Sequence, residues 1–390
     1  MAITLTLGLL TGLSLGLNGW QWLAARRFPL HQTGQATGDQ PGITLFKPLK
    51  GCDEHTVRCL ESWFQQDYRG PIQVLLGVAS EQDPAYALVQ RLLAAHSPAD
   101  ARLVVCPDAL GVNAKVSTLI QLHRLARHDV LVVSDADVQV PANLLAQAVA
   151  PLHDPHVGLV HCFYRLLPAT TWAMRWEAFA VNADFWSQVL QGQTLWPLDY
   201  ALGAVMVTTR SHLEKIGGFE CLVDFLADDY QLGHRIARNG ARIELCPIVV
   251  DCWSQPLSWT QVWRHQLRWA RTIRISKPAP YAASLLSNAS LWPALSFGFH
   301  PTAITCAVLA VCLSLRIATG MNLLQRMTRR PSPWHLVWLI PLKDVLQVLL
   351  WLLAFTGQQV EWKGVSYRIH RGGQFLKSSA AIDKAVGRKR

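Results

Sequence analysis

Asp129-Val130-Leu131-Val132-Val133-Ser134-Asp135-Ala136-Asp137-Val138 is the stretch whose reading decides the fold. Residues 130–133 are all apolar and mostly β-branched, with no polar face, the pattern of a strand buried on both sides in a mostly parallel sheet. The run stops at two carboxylates. Ligands of open α/β sheets lie beyond the carboxyl ends of the strands, which would set Asp135 and Asp137 at the mouth of a site. Spaced i, i+2, the two point the same way if the backbone stays extended. Two hard oxygen donors side by side suit Mg²⁺ or Mn²⁺ on a diphosphate. A solvated turn is the competing reading, and the rest of the chain has to decide between them.

Toward the N-terminus, strand and helix patterns alternate. Residues 43–46 read as a strand ending in Lys47-Pro48-Leu49-Lys50-Gly51, followed by a helix over 54–66. Residues 72–78 form a second strand, ending near Asp83-Pro84 and feeding a helix to about 95. Residues 102–105 form a third, leading to Gly111-Val112-Asn113-Ala114-Lys115 and a helix to about 127. Such alternation predicts a doubly wound α/β sheet with right-handed crossovers. Toward the C-terminus, 157–162 and 201–208 are further strands, with an amphipathic aromatic stretch over 171–190 between them. Gly203 would let a backbone approach a ligand. Ala227-Asp228-Asp229-Tyr230 opens a helix; Asp228 reads equally as an N-cap, whereas Asp229 is harder to read so.

Composition places this domain at a membrane. Of 390 residues 51% are hydrophobic and 16% charged, against about a quarter charged in soluble domains. A net charge of +10 and 16 tryptophans fit an anionic bilayer surface. No Lys/Arg-rich block with interleaved aromatics marks the central region, so nucleic acid is not an expected partner. The nine cysteines show neither CxxC pairs nor metal-ligand spacing and read as reduced thiols.

Residues 1–27 read as an uncleaved transmembrane anchor with Arg26-Arg27 on the cytoplasmic side. A polar linker over 32–42 leads to a cytoplasmic catalytic domain, 42–258. Residues 259–280, with Arg264, Arg268, Arg271 and Arg274 among indoles, suit a helix in the headgroup plane, either purely as an electrostatic anchor or as part of a site. Within 281–356 we expect a two-helix hairpin over about 283–299 and 302–317. A third segment, 334–355, broken at Pro341-Leu342-Lys343-Asp344, is expected to be re-entrant or interfacial. The loop carrying Arg316, Arg326, Arg329 and Arg330 and the tail, 357–390, ending Gly387-Arg388-Lys389-Arg390, are basic and expected to be cytoplasmic.

The ordered set Lys47-Pro48-Leu49-Lys50-Gly51, Asp83-Pro84, Gly111-x-Asn113-x-Lys115, Asp135-x-Asp137, Ala227-Asp228-Asp229-Tyr230 and Arg268-Trp269 resembles the ceramide glucosyltransferase family. Within it the chain is most similar to the bacterial hopanoid-biosynthesis glycosyltransferases. The resemblance spans 43–274, and Trp362-Lys363-Gly364-x-x-Tyr367-Arg368 agrees as well. It implies a GT-A-type nucleotide-binding sheet between membrane helices, at the bacterial inner membrane with the catalytic domain facing the cytoplasm. The donor it implies is a UDP-sugar, best UDP-N-acetylglucosamine, and the acceptor a hydroxyl of a membrane lipid, best a bacteriohopanepolyol; glucosylation of ceramide from UDP-glucose is the alternative. Lys47, Lys50, Asp83, Lys115 and Asp135 would bind the nucleotide-sugar, and Asp135 and Asp137 the Mg²⁺ or Mn²⁺. Asp229 would be the general base, with Gly203, Asp228, His265, Arg268 and Trp269 on the acceptor and diphosphate side. One departure stands out: the first place of the family's (Q/R)xxRW motif is His265, with Gln266 one residue late.

The chemistry asks for these residue types. A departing diphosphate needs its charge neutralised, which a divalent cation does as a Lewis acid. The attacking hydroxyl must lose its proton to a group within hydrogen-bond reach. One base without a paired nucleophile implies direct displacement with inversion. Two other classes remain open at this point, a processive polysaccharide synthase and a nonenzymatic membrane scaffold.

Overall fold

The computed structural model describes all residues except 1, 33, 35–37, 97–99, 332–333, 363–364, 371 and 378–390. Its strands β1 (Ile43–Pro48), β2 (Ile72–Val78), β3 (Ala101–Val105), β4 (Val130–Ser134), β5 (Val138–Gln139), β6 (Val157–Leu167), β7 (Val205–Thr209) and β8 (Arg242–Trp253) form one sheet, ordered β3-β2-β1-β4-β7-β6-β8-β5. Leu131 and Val133 of β4 enter the apolar layer on one face and Val130 and Val132 the layer on the other. That period of two is what a strand covered on both sides requires.

Strands β1 to β4 are mutually parallel, with the helices Thr56–Phe64, Pro84–His96 and Ala114–His123 in the crossovers. This half is doubly wound as expected. The other half is mixed: β7 runs antiparallel to β4 and β6, while β6 and β8 run parallel. An apolar run carries no direction, so sequence periodicity could not separate the two halves. Strand order reverses between β1 and β4, which opens a crevice at their carboxyl ends. The stretch after β6 is one helical rod made of Trp172–Phe179, a π-helical turn Ala180–Phe185, and Trp186–Gln193. Phe179, Ala183 and Trp186 face the sheet.

Among the described residues three helices are long and apolar enough to cross a membrane: Ala2–Arg27, Ala303–Thr328 and Trp334–Phe355. The first two run side by side in one direction. Thr319 Oγ1 donates to Asn18 Oδ1 at 3.0 Å, Trp22 Nε1 to Asn322 Oδ1 at 2.9 Å, and Arg326 Nη2 to the Arg26 carbonyl at 3.4 Å. Their basic ends therefore meet at the catalytic domain, where Ala25 and Met327 join its core.

The membrane segments differ from expectation in three respects. Residues 283–299 are not one helix but the pieces Pro278–Ala283, Ser284–Ser287 and Leu291–Phe299, interrupted where the Asn288 side chain accepts from the amides of Ser290 and Leu291. Arg316 belongs to no loop: the helix expected to end near 317 continues to Thr328 with Arg316 in its interior. Finally, Pro341 does not interrupt the third segment, because it occupies the first turn of the helix Leu339–Phe355, where a missing amide costs nothing.

Beyond it, Gln359–Trp362, Val365–Ile369 and Phe375–Lys377 form an antiparallel sheet. It packs Val360 and Ile369 on Leu226, and Gln374 bridges to Phe225 of the catalytic domain. The Gly387-Arg388-Lys389-Arg390 tail, Lys363-Gly364 and part of the 32–42 linker lie outside the described residues.

Candidate functional site

Strand β4 ends at Ser134, and the backbone turns through residues 135–137 instead of staying extended. The two carboxylates consequently serve two sides of one cleft. Asp135 Oδ1 meets Lys115 Nζ at 2.7 Å, while Asp137 borders a cavity shared with Glu177 and His265. Beneath them lies Lys47, 0% exposed, donating to Ser134 Oγ at 3.2 Å and to the Asp135 carbonyl. Burial draws its pKa down to about 8. The structure thus places Lys47 as a prop under the acidic turn, whereas Lys50 is exposed at the rim.

Asp83 stands at the carboxyl side of β2. Its Oδ1 accepts from the amide of Gly51 and from that of Ala85, both at 2.9 Å. It therefore ties the Lys50-Gly51 turn to the start of the next helix; Gly51 is at φ +70°, which favours glycine. The turn and Asp83 form the crevice wall on the β1–β2 side.

On the β4–β7 side, Asn113 caps the helix Ala114–His123 by accepting from the Lys115 and Val116 amides, at 3.0 and 3.2 Å. Its amide donates to the Phe225 carbonyl at 2.9 Å. That bond draws the 225–229 loop over Lys115, whose Nζ also meets Asp228 Oδ2 at 3.0 Å. Burial works against the lysine charge, but Asp135 and Asp228 hold it charged, above the ordinary lysine range. Asp228 is not an N-cap: Ala227 has that place, and Asp228 is spent on Lys115. Asp229, next along, lies against Gly203, where an added Cβ would sit 2.8 Å from Asp229 Oδ2. Burial, and then Asp228, push the Asp229 carboxyl up to about 6.

The helix Trp259–Ser276 closes the cleft. Ser258 and Gln261 start it with a reciprocal capping box. One turn in, His265 Nδ1 lies 2.6 Å from Glu177 Oε1, and Gln266 Nε2 donates to the same oxygen at 2.8 Å. The histidine in the motif's first place and the late glutamine thus converge on one buried carboxylate. His265 packs on Trp269 with ring centres 4.4 Å apart, and Trp269 reaches Tyr164 at 6.4 Å. Burial lowers the Arg268 pKa, opposed by the charges of the Asp229 and Glu177 carboxylates. Glu177 was missed in the sequence, where it lies in the aromatic run Trp172-Ala173-Met174-Arg175-Trp176-Glu177 and reads as one polar residue on an amphipathic helix.

Asp137 is the other strained acid. Burial first, and then the neighbouring Asp135 charge, push its carboxyl up to about 6. Among the described residues no three His, Cys, Asp or Glu side chains converge as a closed metal centre. Asp135 and Asp137 each offer the hard carboxylate oxygen that Mg²⁺ or Mn²⁺ takes when phosphate oxygens of a substrate complete its shell.

A family model described as "Glycosyl transferase family 21" matches residues 6–375. Ceramide glucosyltransferase 1 of Caenorhabditis elegans is 23% identical over 216 residues, 55% of this chain and 46% of that one. Ceramide glucosyltransferase 3 of the same organism is 20% identical over 368 residues, 91% of this chain and 78% of that one. The chain thus spans about half the length of the first relative and more of the second. Among solved structures, a mannosyltransferase from Pyrobaculum calidifontis in complex with GDP-Man and Mn²⁺ is similar in fold, with a TM-score of 0.54 and 21% identity over 89% of this chain and 98% of that one.

Proposed function

The chain belongs to glycosyl transferase family 21, and from that premise we propose that it is an inverting, membrane-held enzyme moving a sugar from a UDP-sugar to the hydroxyl of a lipid. The observation that carries this reading is convergence. Residues 115, 135, 137, 228, 229 and 268, far apart in the chain, are linked pairwise by contact or charge, Lys115 meeting Asp135 and Asp228, Asp137 lying by Asp135, and Asp229 lying by Asp228 and Arg268.

In this reading the Asp83 wall and Lys50 face the nucleoside and phosphates. Asp135 and Asp137 would hold Mg²⁺ or Mn²⁺, which supplies Lewis-acid neutralisation of the leaving diphosphate. Lys115 keeps Asp135 and Asp228 in place, and Gly203 leaves Asp229 room to reach the incoming hydroxyl. The acceptor oxygen bonds to the anomeric carbon, the bond to the diphosphate breaks with its electron pair, and the hydroxyl proton passes to Asp229. Asp228 is spent on Lys115 and Glu177 on His265 and Gln266, which favours direct displacement over a covalent intermediate.

Resemblance to the hopanoid group favours UDP-N-acetylglucosamine as donor and a bacteriohopanepolyol as acceptor, at the cytoplasmic face of a bacterial inner membrane. The names of the curated relatives favour glucosylation of ceramide as the second reading. Purified protein in nanodiscs, given each donor with each lipid and analysed by mass spectrometry, decides between them. Asp229→Asn is expected to lower turnover at least a hundredfold while nucleotide binding stays within a few-fold. Near-normal turnover would remove Asp229 as the base.

A further inference from the structure

Between Asp137 and the membrane-facing helices lies a cavity with an amphiphile's pattern. Its floor is polar, formed by Asp137, Glu177, Ser254 and His265, and its walls are apolar, with Pro168, Ala169, Met174 and Leu257 among them. These walls are continuous with the apolar cluster that joins Met174 and Val262 to Leu346 and Leu350 of the helix Leu339–Phe355. Trp172 and Trp259 stand two residues from the lining residues Met174 and Leu257, and with Trp338 they are 45–48% exposed; the Trp172 and Trp338 rings are in contact at 5.3 Å. Exposed indoles around an apolar passage mark a boundary with lipid.

The floor is built for recognition. Glu177 is only 4% exposed, and its Oε1 takes both the Gln266 amide and His265 Nδ1. An oxygen already accepting the Gln266 amide accepts from the imidazole too, so Nδ1 carries the proton and Nε2 is left for a ligand. Trp253 adds a buried indole N–H without a partner at the same cavity. No lysine or arginine lines it among the described residues. Away from Asp137, the side of the floor formed by Glu177 and His265 suits an uncharged headgroup bearing hydroxyls better than a phosphate, whose oxygens would face the Glu177 carboxylate.

Building on the proposed glycosyl transfer, we infer that this cavity seats the headgroup of the lipid acceptor. The lipid reaches it from the bilayer, between the N-terminal ends of the helices Trp172–Phe179 and Trp259–Ser276. Glu177 is a positioning residue: it fixes His265 so that Nε2 holds a headgroup hydroxyl neighbouring the one delivered to Asp229.

The test uses the full chain in phosphatidylcholine nanodiscs with Mn²⁺, UDP-N-acetylglucosamine or UDP-glucose, and bacteriohopanetetrol or ceramide as acceptor. Lipid glycoside and acceptor-free UDP release are both measured. Glu177→Gln is expected to raise the acceptor KM at least tenfold with the donor KM changed less than twofold, and Glu177→Asp to recover part of it. Ala169→Trp, a filling of the partly exposed rim, is expected to lower the ratio of lipid transfer to UDP release at least tenfold in protein that melts like the wild type. Variants with wild-type acceptor KM and ratio, or with transfer and UDP release falling in proportion, overturn this inference alone. A wild-type protein that neither releases UDP nor forms a glycolipid overturns the reading of glycosyl transfer, and this inference with it.

Discussion

Asp229 owes its chemistry to its neighbours. Burial and the adjacent Asp228 push its carboxyl up to about 6, so the base proposed above is itself protonated in mild acid. Turnover at saturating donor and cation is expected to fall tenfold per unit as pH drops below about 6 and to level off above about 7, whereas an unshifted aspartate would keep the rate flat down to about 4. A kcat profile between pH 5 and 8 decides the matter, and a flat one rules out Asp229 as the titrating base. The acids at element ends, Asp83, Asp135, Asp137 and Asp229, were legible in the sequence because strand and helix patterns stop at them. What could not be read was orientation. Lys47 reads as a donor ligand and is a sealed prop, because a buried lysine and an exposed one leave the same letter. Glu177 was invisible because its partners, His265 and Gln266, lie 88 and 89 residues away.

Elements that read simply as apolar turn out to be pinned by charge. Asp184 on the helical rod, Arg316 inside Ala303–Thr328, and Lys343 and Asp344 in the first turns of Leu339–Phe355 form a cluster of two cations and two anions. Arg316 Nη2 meets Asp184 Oδ2 at 2.7 Å and Asp344 Oδ1 at 2.9 Å; Lys343 Nζ meets Asp344 Oδ1 at 3.2 Å and also bonds Asp184. Ser290 Oγ donates to Asp344 Oδ2 at 2.6 Å. In the sequence Lys343-Asp344 reads as an obstacle to burial; the structure cancels it with Arg316, which read as a loop charge. Only side chains from three separate elements could reveal that sum. Removing one member leaves an uncompensated buried charge, at about 3–5 kcal/mol. Arg316→Met should therefore lower the melting temperature of the detergent-purified protein substantially, while Arg330→Met, exposed at the helix end, should stay within about 0.5 kcal/mol of wild type. Equal melting of the two variants would show that the cluster does not hold these helices.

For the whole molecule, the decisive fact is which parts of the chain return to the catalytic domain. Arg165 of β6 donates to the Thr328 carbonyl at 2.8 Å, fixing the end of Ala303–Thr328 to the sheet. Gln374 bridges to Phe225, fixing the C-terminal sheet to the same domain. Between these anchors lies Trp334–Phe355, long and apolar enough to span, but one crossing would part its flanks by about 30 Å of hydrocarbon. It also lies lengthwise along Trp259–Ser276: Leu350 packs with Val262, Ala354 with Ala270, and Arg274 donates to the Gly357 carbonyl at 3.4 Å. If the helix Trp259–Ser276 lies in the headgroup plane, as its basic and indole content predicts, the helix packed along it is expected to lie there as well. Alkaline phosphatase joined after Arg330 and, separately, after Lys377 should therefore report the same side, inactive at both if the catalytic domain is cytoplasmic. Opposite states at the two junctions would mean that residues 334–355 cross once, and the acceptor cavity, whose apolar wall continues into that helix, would then have to open inside the bilayer instead of at its surface.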